Sequence, residues 1–145
     1  MRSFRVIKFG GTSVGTPTRA KAAVTETKAE QGPLVVVVSA LNGVTDLLLT
    51  LAHHAQAGRH ARVDMCIAQL RRRHLDHLYD LLPAVAFAGC AVMFTRDLQQ
   101  LETLVRSAHK HDRFRDEVVG FGEYFSARIF RRLLSHQAVV LRGHV

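Results

Sequence analysis

The sequence predicts an α/β fold in three layers, a parallel sheet enclosed between helices. Three observations lead there. Arg5 to Phe9 and Leu34 to Val38 are short apolar runs without alternation, the pattern of strands buried on both faces. A helix-forming stretch joins them, which makes a βαβ unit. Ala138-Val139-Val140-Leu141 reads as a third buried strand, parallel to the first two.

The first strand ends abruptly in Gly10-Gly11-Thr12-Ser13-Val14-Gly15. Adjacent glycines leave no Cβ between the backbone and a bulky anion, and Thr12 and Ser13 add hydroxyl donors. Thr16-Pro17 reads as an N-cap followed by proline at the first helical position. A glycine-rich turn into a helix N-terminus gathers N–H groups at the positive end of a dipole, a setting that suits phosphate. Lys8 places a full positive charge on the same edge. An ordinary strand-to-helix turn fits the same residues. The loop is not of the Walker type, because Thr16-Pro17 stands where Lys and Ser/Thr are required. Nor does it match G-x-G-x-x-G, since Gly10 and Gly11 are adjacent.

Pro17 to Gln31 is predicted helical, with Gly32-Pro33 as its stop. Ser39 to Asp46 follows the second strand. Loops at the carboxyl ends of parallel strands form the ligand crevice, so Ser39, Asn42 and Thr45 share an edge with the glycine loop. Capping the helix from Thr45 to about Gln56 is the other role open to Asn42 and Thr45. Two more helices are read at about Arg62 to Leu82 and Thr95 to about His111. The latter carries Leu98, Leu101, Leu104, Val105 and Ala108 on one stripe. Gly58 to His60 and Pro83 to Met93 are read as connections. His74 and His77 stand three apart, a spacing open to a metal, but no third ligand accompanies them and no metal site is assigned. The last helix is read as Glu123 to Ser135, on the recurrence of Phe125, Ile129 and Leu133. Glu123 then falls in its first turn, where the dipole alone favours a carboxylate.

Composition sets outer bounds. The 145 residues are 48% hydrophobic and 22% charged, as expected of one globular domain. No apolar run approaches the ~18 residues of a membrane span, and Lys8 and the glycines interrupt any secretory signal. Cys66 and Cys90 lack metal or redox spacing and read as reduced thiols in a cytoplasmic protein. The net charge of +8 matches an anionic partner. Its arginines are scattered apart from Arg71-Arg72-Arg73 and Arg131-Arg132, without the interleaved aromatics of a nucleic-acid platform. A solvated helix face or an anionic small molecule fits better than nucleic acid.

Three stretches carry a resemblance. Lys-Phe-Gly-Gly-Thr-Ser-Val at 8–14, Val-Ser-Ala-x-x-Gly-Val-Thr-Asp-Leu-Leu at 38–48 and Gly-Glu-x-x-Ser-Ala-Arg at 122–128 resemble aspartate kinase, in that family's order and spacing. The resemblance implies the N-terminal portion of an amino-acid-kinase (carbamate-kinase-like) fold over 1–145, with a helical insert at about 58–112 and no regulatory domains. It implies phosphoryl transfer from ATP, with Mg²⁺, to the side-chain carboxylate of L-aspartate, on the route to lysine, threonine and methionine. By resemblance Lys8 is the catalytic cation, with Gly10, Gly11, Thr12 and Ser13 beside the phosphates. Ser39, Thr45 and Glu123 hold aspartate. Phosphoryl transfer depends on positioning and charge neutralisation, which suits such a set.

Departures accompany it. The later glycine loop, substrate arginine and nucleotide segment of the family have no counterpart here, and Leu141-Arg142-Gly143 puts a cation where an acid is usual. The chain is therefore expected to be a piece of a kinase domain, inactive alone, covered by the remainder of that domain or by self-association. A glutamate- or carbamate-type kinase and a non-catalytic interaction remnant are the rival readings. Lys8, Gly10, Gly11, Ser39, Thr45 and Glu123 are expected at one crevice, with Lys8 and Glu123 in ion-pair or water-bridged range.

Overall fold

The computed structural model describes the backbone of residues 4–107 and 111–142 and the side chains of 4–107 and 111–135. Strand β1 (Arg5–Phe9) leads into a one-turn helix α1 (Gly11–Val14) and then α2 (Pro17–Ala29), followed by strand β2 (Leu34–Val38). Helices α3 (Val44–Gln56), α4 (His60–Leu81), α5 (Ala84–Arg106) and α6 (Phe114–Arg142) complete the described chain. The two strands pair in parallel, Arg5 opposite Leu34 through Phe9 opposite Val38, as the βαβ reading requires. Thr16 caps α2, its hydroxyl accepting from the Arg19 N–H at 3.3 Å, with Pro17 in the first turn.

One expectation about the sheet fails, and a second is not met among the described residues. Ala138 to Leu141 lie in α6, so the described sheet has two strands. A strand needs a hydrogen-bonded neighbour, whereas a helix already nucleated gains one bond for each residue added; continuation therefore overrides β-branched preference. The expected cation at Arg142 concerns a side chain outside the described ones, and Gly143 is outside the described residues.

Among the described residues the sheet is covered on one face. Alternation puts Ile7, Phe9, Val36 and Val38 on one side, where Phe9 meets Phe130 of α6 with ring centroids 5.7 Å apart. Val6, Val35 and Val37, on the other side with Lys8, are 60%, 45% and 44% exposed. Their apolar runs were read as strands enclosed by two helix layers. The described residues supply one.

Helix α3 is central, with Val44, Leu48, Leu51 and Ala52 buried against α4, α5 and α6. Helix α5 begins at Ala84, so the stretch read as a connection, Pro83 to Met93, is helical after its proline. Its buried residues Ala86, Cys90, Phe94, Leu98, Leu101 and Val105 continue the three-and-four spacing that was read only from Thr95 onward. Ala108, placed on that stripe, lies outside the described residues.

His74 is enclosed rather than presented to a metal. Its ring stacks on Phe94 at 4.7 Å and meets Phe125 edge-on at 5.3 Å. Nδ1 donates to the Leu70 carbonyl at 2.8 Å, and Nε2 is buried without a partner. Burial lowers its pKa to about 4, so the ring is neutral at ordinary pH.

Candidate functional site

Ala40 organises the carboxyl edge of the sheet. Gly11 approaches it so closely that a Cβ there would stand 2.5 Å from the Ala40 carbonyl oxygen. From the opposite direction α6 crosses at Gly122, where a Cβ would stand 2.8 Å from the Ala40 Cβ and 3.1 Å from Leu48 Cδ1. Both positions therefore require glycine for packing. Three motif stretches that are far apart in sequence meet at this one small residue.

The glycine loop divides into a packed part and an open part. Nothing lies within 4 Å of where a Gly10 Cβ would be, and Gly10 is extended, with φ −72° and ψ 167°. The Ser13 N–H donates to the Gly10 carbonyl at 2.9 Å, closing the turn. Thr12 and Ser13 are exposed. Arg19 of α2 donates to the Thr12 carbonyl at 3.1 Å and, with Phe9, Ser13 and Glu26, borders a cleft of about 250 Å³ beside the loop. Sequence reading missed Arg19, although its position three residues after an N-cap puts it over the loop. Lys8 does not border that cleft; it projects from the uncovered face beside Val37.

On the second strand the ladder runs one residue further, the Ser39 N–H donating to the Phe9 carbonyl at 3.0 Å. Alternation puts Ser39 on the side of Val37 and Lys8. The turn that follows is fixed by Val44 N–H to Leu41 O, 2.9 Å, and by Gly43 at φ +73°, a left-handed value that favours glycine. Arg73 of α4 holds it from outside through the Asn42 carbonyl at 2.9 Å. In the sequence Arg73 is legible only as part of the charged run Arg71-Arg72-Arg73.

Helix α3 starts at Val44 with Gly43 in the capping position and no side-chain cap. Neither Asn42 nor Thr45 caps it, which removes the structural role those residues shared with a binding one. Glu123 changes position in a similar way. Because α6 starts at Phe114, its first-turn acids are Asp116 and Glu117, and Glu123 is mid-helix and exposed. Helix-dipole compensation falls off within the first turn and does not explain it. Lys8 and Glu123 form no ion pair among the described residues. Lys8 lies on the bare face of the sheet, and Glu123 belongs to α6, which packs on the other.

Behind this edge α5 and α6 are clasped. Arg128 Nε donates to Asp97 Oδ2 at 2.5 Å, and the Tyr124 hydroxyl donates to Asp97 Oδ1 at 3.4 Å. The Arg128 guanidinium lies 5.4 Å from the Tyr124 ring centre.

Residues 3–142 match the sequence model of the amino acid kinase family. The chain belongs to that family. Its resemblance to aspartate kinase also stands on curated relatives and solved structures. It is 31% identical over 132 residues to the chloroplastic bifunctional aspartokinase/homoserine dehydrogenase 1 of Arabidopsis thaliana, covering 88% of this chain and 14% of that protein. Bifunctional aspartokinase/homoserine dehydrogenase 2 of Escherichia coli (strain K12) is 31% identical over 133 residues, covering 91% and 16%. Aspartokinase III of E. coli, crystallised with aspartate and ADP, superimposes with a TM-score of 0.76 at 24% identity, covering 94% of this chain and 30% of that one. The Clostridium acetobutylicum aspartate kinase gives 0.67 at 18%, covering 93% and 30%. These two likenesses show the fold, that of the amino acid kinases. This chain spans a small part of the length of each. Among the described residues no helix is long and apolar enough to cross a membrane.

Proposed function

We propose that this chain forms the acceptor side of an aspartate kinase, phosphorylating the side-chain carboxylate of L-aspartate from ATP to give 4-phospho-L-aspartate on the route to lysine, threonine and methionine. The observation that supports the reading is the close approach of Gly11 and Gly122 to Ala40, which brings together the glycine loop, the segment after β2 and the part of α6 that carries Gly122. Lys8 offsets the charge of two anions brought together, the carboxylate and the transferring phosphoryl group. Gly10, whose outer side is open, and Gly11, Thr12 and Ser13 line the phosphate side. Ser39 and Thr45 hold the aspartate, and Glu123 accepts its α-ammonium group.

Magnesium is implied by the same resemblance; among the described residues no three His, Cys, Asp or Glu side chains converge, and such an ion is commonly held by one or two carboxylates together with the substrate phosphates. The 145-residue chain is expected not to turn over by itself, since phosphoryl transfer depends on charge neutralisation supplied by more groups than Lys8 and its loop. We take 1–145 as part of a kinase domain, residues 58–112 being the helical insert and the regulatory domains lying outside it. Its bare valine face is covered by the remainder of such a domain, or by self-association when that is lacking. Two buried free thiols, Cys66 and Cys90, support a reducing compartment such as the cytoplasm, while the plant relatives are named as chloroplastic.

Aspartyl phosphate formation tests this, measured with ATP and Mg²⁺ on the chain alone and mixed with a polypeptide supplying the rest of a kinase domain. We expect turnover only in the mixture, lost with Lys8→Ala and raised in KM for aspartate with Glu123→Gln. Turnover by the chain alone that Lys8→Ala abolishes would overturn its inactivity. Phosphorylation of glutamate or carbamate in preference to aspartate would overturn the substrate.

A further inference from the structure

Helices α5 and α6 leave a cleft of about 210 Å³ on their outer side, bordered by Met93, Arg128, Arg131, Arg132 and Ser135. Three of these five are arginines, spaced i, i+3 and i+4 along α6. Like charges at that spacing repel and weaken a helix, so the arrangement is unfavourable unless something anionic joins it.

The three arginines differ in what they already hold. Arg128 is fixed by Asp97 through Nε and lies over Tyr124, which leaves its terminal Nη groups for a second partner. Asp97, buried and engaged at both oxygens, balances that charge. Arg131 and Arg132 are exposed, and neither pairs with a carboxylate among the described residues, which include all 12 acidic side chains of the sequence. The Ser135 hydroxyl donates to the Arg131 carbonyl at 3.2 Å and is not a free donor. The cleft thus carries two uncompensated positive charges beside a third guanidinium held in place.

We propose that this cleft binds a phosphate dianion, as inorganic phosphate or the phosphate group of a small organic molecule, at a site separate from the Lys8 loop. Guanidinium forks match the paired oxygens of a tetrahedral oxyanion. A phosphate group carries about −1.5 to −2 near pH 7, which matches the two unpaired arginines. The inference goes beyond the kinase reading and does not depend on it.

Calorimetric titration of the full chain with inorganic phosphate and, separately, with O-phospho-L-serine at low ionic strength tests the site. We expect one dianion bound, at least about tenfold more weakly in Arg131→Gln/Arg132→Gln. The charge-matched Arg62→Gln/Arg113→Gln and Lys8→Ala are expected to stay within about twofold. Amide shifts on phosphate addition should centre on Met93, Arg131 and Arg132. Preference for one of the two ligands identifies the source and supports the site. No binding by the unmodified chain would overturn it, as would equal weakening in Arg62→Gln/Arg113→Gln, which means diffuse attraction. Loss in Lys8→Ala alone would also overturn it, placing the anion at the glycine loop.

Discussion

Gly10 and Gly11 are neighbours with different environments, and substitution should separate them. Alanine at 10 meets open space with dihedrals any residue adopts, so Gly10→Ala should leave stability unchanged or raise it by up to about 1 kcal/mol. Alanine at 11 would press on the Ala40 carbonyl, a backbone group that cannot turn aside, and should cost about 1–3 kcal/mol. Urea denaturation of the two variants checks this; equal losses would mean Gly11 is not a packing glycine. His74 makes a pH prediction. Its folded pKa of about 4 lies below the ordinary value of 6.5, so the unfolded chain binds the extra proton first. The stability it contributes is complete above about pH 6.5 and declines as pH falls toward 4, by about 3 kcal/mol at the lower end. His74→Phe keeps an aromatic ring against Phe94 and Phe125 and should lose most of that decline. If denaturation midpoints at pH 7 and 4.5 differ as much in the variant as in the unmodified chain, His74 is not the titrating group. The sequence showed a histidine pair; only packing showed that one of the pair lies between two phenylalanines.

Among elements, α6 departs furthest from what the residues suggested. The last helix is expected to start at Glu123, yet Phe114, Val118, Phe125 and Ile129 are all buried along one continuous helix. Gly122 is needed there because α6 crosses the Ala40 segment and α3 with no room for a side chain. Such a requirement comes from a neighbour remote in sequence and has no local signature. The clasp between α5 and α6 should be asymmetric when broken. The Asp97 side chain is 3% exposed and that of Arg128 39%. Arg128→Ala therefore strands a buried carboxylate and should cost about 3–5 kcal/mol. Asp97→Asn keeps an acceptor and leaves a cation that can turn to water, a loss of about 1–2 kcal/mol. Thermal unfolding of both variants measures the difference. A larger loss in Asp97→Asn would contradict the burial argument.

For the whole molecule, the consequential feature is the uncovered sheet face. Val6, Val35 and Val37 form an apolar strip on two edge strands, a surface that invites pairing with another chain. Sedimentation should find the chain alone associating with rising concentration, and Val35→Thr/Val37→Thr shifting it toward monomer. Threonine keeps the β-branched shape while adding a hydroxyl to the exposed surface. Unchanged association in that variant would mean other surfaces drive it, such as the exposed Val85 and Val92 of α5.

Sequence alone determined the βαβ unit, its parallel pairing, the cap at Thr16 and the three motif stretches, because each is written in residues adjacent along the chain. A glycine pair after an apolar run, or a threonine before a proline, restricts its own backbone whatever surrounds it. Tertiary structure decided the rest. Ala138 to Leu141 had strand-like residues but became helix, since α6 was already formed and a strand requires a partner that composition cannot supply. Glu123 moved from a helix start to a helix middle, and Thr45 lost its capping role, when the true helix starts fell at Phe114 and Val44. The meeting of Gly11 and Gly122 on Ala40 belongs to no single segment. It exists because steric exclusion acts between residues that touch, and which residues touch is fixed only when the helices pack.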